Sequence, residues 1–341
     1  MILTYKVQHG RDFSHELSLA KKVADYAIRT KSRSSADVRH IGLKSAISNQ
    51  ILKKYSGSKT VKKARNVKLT IPGQGVKVRN NKVCVPCLDL KLPIYFQQGF
   101  DKINQVEVGN KYAYISANYP EPPQYKSESV YGVDRNTKGH CLVASNPVTG
   151  KVLKLGKQAQ HIHEKYKHIR RKLQKQGKYG LVKRIKDRES RIIRNLNHSC
   201  SKKLIEDCVK NKAGVVLEEL KDIRKTAKTK RKQRYSLNSW SFHQLRNMVE
   251  YKAKKQGVPV FYVEPQYTSQ RCSVCGHIDA SNRKQKLFQC KACGKVENAD
   301  VNAGFNIACL HQTSISRFVK DRDLAKGNTD APREAMAVNP C

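Results

Sequence analysis

Three acidic side chains stand where they could share divalent cations. Asp134 closes the apolar run Val130-Tyr-Gly-Val133, Glu218 closes Val215-Val-Leu217, and Asp300 lies in Glu297-Asn-Ala-Asp300-Val-Asn302-Ala303, where a helix is expected to begin. Carboxylates at the ends of adjacent strands converge if those strands pair, and like charges so gathered are costly unless cations neutralise them. Mg2+ is the expected guest. Two such ions activate a water and stabilise the leaving oxygen of a phosphodiester, which is nuclease chemistry. Taken singly, each acid has a plainer reading, because Asp at a strand end or helix start is usually a cap or turn former. Glu219 competes with Glu218; strand alternation admits one of the two to the site, and the pattern alone does not choose between them.

The cysteines carry a second chemistry. Cys272-Ser-Val-Cys275-Gly276 and Cys290-Lys-Ala-Cys293-Gly294 are two CxxC-G knuckles separated by residues 276–289. Four thiolates so arranged suit one tetrahedral structural Zn2+, which would hold a small ribbon together and take no part in a reaction. Cys84-Val-Pro-Cys87 has no second pair nearby and sits in a strand pattern, so it is read as structural.

The elements that must position these groups follow from periodicity. Residues 1–7 read as a strand, and residues 14–30 and 34–54 as helices, the second rich in Lys and Arg. Strand-like runs follow at 67–71, 76–79, 83–90 and 111–117, broken by Pro-Gly, Asn-Asn and Gly-Asn, the spacing of an antiparallel barrel or meander. Tyr119-Pro120-Glu121-Pro122-Pro123 reads as a linker. Beyond it, residues 130–133 and 141–145 form a strand pair, 158–176 a basic helix, and Ile192, Leu196, Cys200, Leu204 and Cys208 mark the apolar face of another helix. Residues 215–218 and 258–263 are buried strands, with a helix at 241–255 between them. Strands alternating with helices from residue 130 onward predict an α/β sheet. The polar stretch after Leu310 is expected to be partly disordered.

Composition bounds the partner. The 341 residues include 68 Lys and Arg against 27 Asp and Glu, a formal net charge of +41. Such an excess demands a polyanion, and nucleic acid is the default, bound tightly and with steep salt dependence. No run approaches the apolar length of a spanning helix. Residues 1–6 do not look like a signal peptide. Eleven cysteines, an odd number with four in metal-type pairs, fit a reducing compartment, so the expectation is an intracellular protein acting at DNA in the cytoplasm or nucleoid. Exposed phosphate contacts are expected from Lys165, Arg170, Arg171 and Lys172 on the basic helix and from Lys230, Arg231 and Arg234 in the basic run after Glu218. His161, His163 and His168 are read as solvated or phosphate-facing, and Tyr5, Tyr112, Tyr114 and Tyr267 chiefly as packing groups.

The stretch Val263-Glu-Pro-Gln-Tyr267-Thr-Ser-Gln-Arg-Cys272-Ser-Val-Cys275-Gly276, with Phe288-Gln-Cys290-Lys-Ala-Cys293-Gly294 and Asn298-Ala-Asp300-Val-Asn302-Ala303, closely resembles the C-terminal signature of TnpB (OrfB) proteins. These belong to bacterial and archaeal insertion sequences and are similar to type V CRISPR effectors. Gly132-Val-Asp134-Arg-Asn resembles the family's first RuvC motif and Val216-Leu-Glu218-Glu-Leu220 its second, with Trp240-Ser-Phe242 and Tyr251-Lys252-Ala253 on the helix between. The resemblance covers about residues 129–310, and the N-terminal third only in its order of elements.

The resemblance implies a RuvC-like (RNase H-like) α/β nuclease domain at 129–310 with a zinc ribbon inserted at about 268–297. Before it would come an N-terminal strand barrel (1–7 and 66–128) with a small basic helical insertion (8–65), and after it a flexible tail (311–341). It implies a catalytic triad of Asp134, Glu218 and Asp300 holding Mg2+, two ions in all, and so Glu218 over Glu219; and Zn2+ on Cys272, Cys275, Cys290 and Cys293. Its partners would be a guide RNA from the transposon end and double-stranded target DNA, cut at both strands. Gly304-Phe305 departs from the family, which usually has smaller or basic residues there, and bears on the packing beside Asp300. The helical insertion is short for supervising a long heteroduplex. The rival readings are a transposase that itself joins DNA ends, a nuclease-dead RNA-guided regulator, and a zinc-ribbon DNA-binding protein without catalysis.

Overall fold

The computed structural model describes residues 1–58, 60–94, 99–136, 139–220 and 242–324, with side chains through residue 311 apart from those of residues 186 and 242. It divides into two units, Met1–Glu121 and the chain from Pro122 onward.

In the first unit, β1 (Ile2–Gln8), β2 (Leu69–Pro72), β6 (Lys102–Val108) and β7 (Tyr112–Asn118) form one antiparallel sheet in the order β1-β7-β6-β2. A second, three-stranded sheet joins β3 (Lys77–Arg79), β4 (Lys82–Val85) and β5 (Leu90–Pro93). The antiparallel strands expected of a barrel are therefore divided between two hydrogen-bonded sheets. Helices α1 (Ser14–Thr30) and α2 (Ser45–Ser56) bury Val23, Ala27, Ile47, Ile51 and Leu52 in one core with Leu69, Ile71, Val106 and Ile115. The helix expected over 34–54 is broken: Ala36–Ile41 is a 3-10 turn that stops at Gly42, whose φ of 80° is left-handed. The run expected at 83–90 is likewise split by the turn Pro86–Leu88. Strand β6 escapes a period-two reading because polar Asn104 and Gln105 interrupt it at a register shift.

The second unit is built on a five-stranded sheet in the order β10-β9-β8-β11-β12. Strand β9 (Leu142–Ser145) is antiparallel to both its neighbours, β8 (Ser129–Arg135) and β10 (Val152–Leu155); β11 (Ala213–Glu218) runs parallel to β8, and β12 (Val260–Val263) parallel to β11. Strands β8 and β11 are buried along their whole length, as central strands covered on both faces must be. On one face Tyr131, Val133, Val215 and Leu217 pack with residues of three helices: Ala159 of α3 (Gln158–Lys175), Ile193 and Leu204 of α4 (Tyr179–Lys210), and Leu245 and Val249 of α5 (Phe242–Lys255). On the other, Val130 and Val216 pack with Ile307 and Ala308 of α6 (Ala299–Leu324). Helix α4 begins well before the apolar face read from Ile192 onward, because six of residues 179–190 are charged and Leu181, Val182 and Ile185 are too few to mark its earlier turns. Helix α6 continues through residues 311–324, where a flexible tail was expected; the rest of that segment lies outside the described residues. Among the described residues, no helix is long and apolar enough to cross a membrane.

Candidate active site and metal centre

Strand alternation and pairing bring the first two acids together. Val216 faces Gly132 and Leu217 faces Val133 across the parallel pair, so the register continues to Glu218 beside Asp134. Val130, Gly132 and Asp134 share one face of β8, and Val216 and Glu218 the matching face of β11, the face covered by α6. Glu219 falls on the alternate position, and its backbone N–H donates to the Val263 carbonyl at 2.9 Å.

Helix α6 brings the third acid by crossing β8 at a pair of glycines. A Cβ on Gly132 would lie 2.1 Å from the Gly304 carbonyl oxygen, and one on Gly304 would lie 2.6 Å from Ser145 Oγ. Asp300 is one turn before Gly304 on the same helix face, as Asp134 is two residues beyond Gly132 on the same strand face. Gly304, a departure by sequence, is thus what permits this crossing. The helix starts at Ala299, where Asn298 Oδ1 accepts from the amides of Asp300 (3.1 Å) and Val301 (3.3 Å), an N-terminal cap.

All three carboxylates are buried, at 9%, 7% and 3% exposed for Asp134, Glu218 and Asp300. Burial, reinforced by the charges of Glu218 and Asp300, pushes the Asp134 carboxyl up to about 7, against the hydrogen bond from Asn136 Nδ2 at 2.9 Å. Burial also raises Glu218, opposed by a hydrogen bond from Thr268 Oγ1 at 2.6 Å and by the charges of Arg135 and Arg283. Asp300 is gripped by the hairpin between the two cysteine pairs, through Arg283 Nη2 at 3.2 Å and Lys286 Nζ. Among the described residues, one set of three or more possible ligand atoms lies wholly within 4.8 Å of one another, and it is the cysteine quartet. The three acids do not share so tight a sphere, contrary to the simplest expectation; Asp300 is paired with ribbon cations instead. Their oxygens are nonetheless hard donors, and burial together with the neighbouring acids makes the charged form of Asp134 costly unless a cation compensates it, so the set fits divalent cations of the Mg2+ class.

The cysteine quartet fits zinc directly. Cys272 and Cys293 sulfurs lie 3.7 Å apart and those of Cys275 and Cys290 3.5 Å apart, close to the roughly 3.8 Å edge of a tetrahedron with Zn–S bonds of about 2.3 Å. The amides of Gly276 and Gly294 close each knuckle on the carbonyls of Cys272 and Cys290, at 3.0 and 3.1 Å. A small antiparallel sheet of β13 (Arg283–Lys284), β14 (Leu287–Gln289) and β15 (Val296–Asn298) carries the second knuckle. Cys84 and Cys87 belong to no such ligand group among the described residues.

Surface expectations divide. Lys165, Arg171 and Lys172 are exposed on α3, whereas Arg170 is paired with Glu189 of α4, and His163, expected at the surface, is buried with Nδ1 2.7 Å from the same carboxylate. Both lie on the face of α3 that packs against α4, so helix–helix packing, which a charged sequence conceals, withdraws them from solvent. His161 and His168 are exposed. Lys230, Arg231 and Arg234, with Trp240, lie outside the described residues. Tyr112 and Tyr114 lie under Lys6 and Lys68, each 3.7 Å from its ring centroid, and Tyr5 bonds Tyr119 at 2.7 Å. Tyr267 is half exposed. Sequence reasoning missed Thr268, Arg283, Lys286, Asn302 and Asn306. Two cations in the ribbon loop were a usable signal for Arg283 and Lys286; residue type alone gives none for Thr268.

Residues 242–307 match the Cas12f1-like TNB domain model. The chain is 31% identical over 214 residues to the CRISPR-associated endodeoxyribonuclease Cas12f1 of Sulfoacidibacillus thermotolerans, an alignment covering 57% of this chain and 49% of that protein. It is 34% identical over 177 residues to a TnpB-like protein of Methanocaldococcus jannaschii, covering 50% of this chain and 63% of the relative. The chain thus spans about half of the length of the first of these curated relatives and under two thirds of the second. Its fold is similar to that of a Cas12f1 chain solved by cryo-EM in a complex with sgRNA and target DNA, at a TM-score of 0.62 and 16% identity over 87% of this chain and 82% of that one. The motif resemblance, the matched domain and these relatives together make the chain similar to TnpB-like proteins and to the Cas12f1 endodeoxyribonucleases.

Proposed function

We propose that the protein is an RNA-guided DNA endonuclease, with Asp134, Glu218 and Asp300 as its catalytic carboxylates. The observation that carries this reading is the gathering of three buried acids, one from each of two paired strands and one from a helix pinned over them, in a chain of net charge +41. Bound there, Mg2+, two ions in all, would activate water and stabilise the leaving oxygen of a DNA phosphodiester. The chain's own groups then have distinct tasks. The three carboxylates hold the cations, with Asn136 orienting Asp134 and Thr268 orienting Glu218. Arg283 and Lys286, which neutralise Asp300 in the nucleic-acid-free protein, are placed to turn toward a scissile phosphate once cations take over that duty.

Partners follow from charge and kinship: a guide RNA from the transposon end and double-stranded target DNA, as in the sgRNA and target DNA complex of the structural relative. The N-terminal strands, read as a barrel with a helical insertion, would hold RNA scaffold and read a short target-adjacent motif. Lys165, Arg171 and Lys172, with Lys230, Arg231 and Arg234, would meet phosphates. Zn2+ on the cysteine quartet is structural.

The test is plasmid cleavage by the wild type and by Asp134→Ala, each copurified with its RNA. Guided cleavage should fall by at least about a thousandfold in the variant. Equal cleavage by both would remove Asp134 from the mechanism, and strand-transfer products made without RNA would favour a transposase.

A further inference from the structure

The hydroxyl of Thr268 sits where no sequence signal pointed. It is buried at 4% exposure, and Oγ1 donates to Glu218 Oε1 at 2.6 Å, with the Pro265 carbonyl a weaker competitor at 3.2 Å. One hydroxyl has one proton, and the carboxyl oxygen at the shorter distance holds it.

The backbone that presents this hydroxyl is fastened to α6. Asn306 Nδ2 donates to the carbonyls of Thr268 at 2.9 Å and Arg271 at 2.6 Å; Asn302 Nδ2 donates to Arg271 O at 2.8 Å and its Oδ1 accepts from Ser273 N at 3.0 Å. Both asparagines are almost fully buried, and they stand one turn apart on α6, the helix whose first turn holds Asp300. The segment they clasp contains Cys272, the first sulfur of the quartet. It is entered through Tyr267 at φ 60°, a left-handed conformation that costs a bulky residue energy and persists where surrounding contacts impose it.

We propose that Thr268 is a positioning residue that fixes the Glu218 carboxylate for cation binding, and that the ribbon and α6 hold it in place through Asn302 and Asn306. The inference rests on the endonuclease reading and deepens it: the zinc-bound ribbon supplies part of the geometry of the carboxylate site. Removing an outer hydrogen-bond partner of a metal-binding carboxylate typically weakens metal affinity by about 10- to 100-fold.

The experiment compares wild type, Thr268→Val and Thr268→Ser as zinc-loaded full chains. Mn2+ binding to the RNA-free protein is measured by calorimetry, and the Mg2+ concentration for half-maximal guided cleavage is measured in the RNA complex. Thr268→Val should weaken Mn2+ binding and raise half-saturation by about tenfold or more at unchanged zinc content and melting temperature, with cleavage restored at high Mg2+. Thr268→Ser, which keeps the hydroxyl, should return both values to within about threefold of wild type. If Thr268→Val melts early or loses zinc, Thr268→Ala carries the same expectation. Wild-type cation dependence in the hydroxyl-free variants, or equal losses in Thr268→Val and Thr268→Ser, would overturn the proposal. Glu218→Gln separates the two levels: if it binds Mn2+ and cleaves like wild type, the carboxylate site itself is wrong, whereas loss in Glu218→Gln with no change in Thr268→Val removes the role of Thr268 alone.

Discussion

Asp134 has a measurable signature before any nucleic acid is added. Its carboxyl is displaced upward from 3.8 to about 7, so across that interval the folded protein holds a proton that the unfolded chain has released. Stability is therefore lost as pH rises toward about 7, the reverse of the usual salt-bridged aspartate. In zinc-loaded protein without added divalent cations, the melting temperature of wild type should drop between about pH 5 and 8 by several degrees more than that of Asp134→Asn, and Mg2+ at the upper pH should recover part of the loss. Parallel melting curves in scanning calorimetry would refute this. The three acids and four cysteines were legible in sequence because each stands at a diagnostic place, a strand end, a helix start or a knuckle. Thr268, Asn302 and Asn306 were not, because their contacts join points in the chain 29 to 50 residues apart, and only folding makes those distances short.

At the scale of elements, the crossing of β8 and α6 decides where Asp300 stands. Gly132→Ala meets a backbone oxygen at 2.1 Å, an obstacle that cannot rotate aside, whereas Gly304→Ala meets the Ser145 hydroxyl at 2.6 Å, which can. Both substitutions should destabilise, by about 1–3 kcal/mol or more, with Gly132→Ala the worse. Both should also cut guided cleavage beyond about tenfold even below the melting transition, because an ångström of misplacement in a reacting constellation suffices for that. Chemical denaturation beside cleavage rates checks it; a stable Gly132→Ala with normal cleavage would mean that α6 can shift without consequence. Strands β8 and β11 and helices α1 and α3 could be read from apolar runs and periodicity. Strand β6 and the early start of α4 could not, since polar or charged residues interrupt them, nor could β10, whose Val152-Leu-Lys-Leu155 is only four residues long; tertiary pairing supplies what the local pattern lacks.

Over the whole molecule, charge sets the behaviour. A net +41 predicts nucleic-acid affinity that falls steeply with salt, and each exposed phosphate contact that is lost should lower the slope of log affinity against log salt by about one. Arg171→Ala and Lys172→Ala should each do so with no change in melting temperature. Arg170→Ala should instead cost about 1–3 kcal/mol of stability, because it strips a partner from the buried Glu189 carboxylate. Salt titrations and melts of the three variants separate these roles, and an Arg170→Ala that melts like wild type would contradict the assignment. The bulk composition announced a polyanion partner but could not say which cations face it, since only packing distinguishes Arg170 from its neighbour. Helix α6 has one more effect, on anyone attaching cargo to this protein. Its 26 residues rise ~39 Å from first to last. A group attached at Leu324 itself therefore sits about that far from Asp300, and one meant to reach the three carboxylates would need linker enough to travel back along the whole rod.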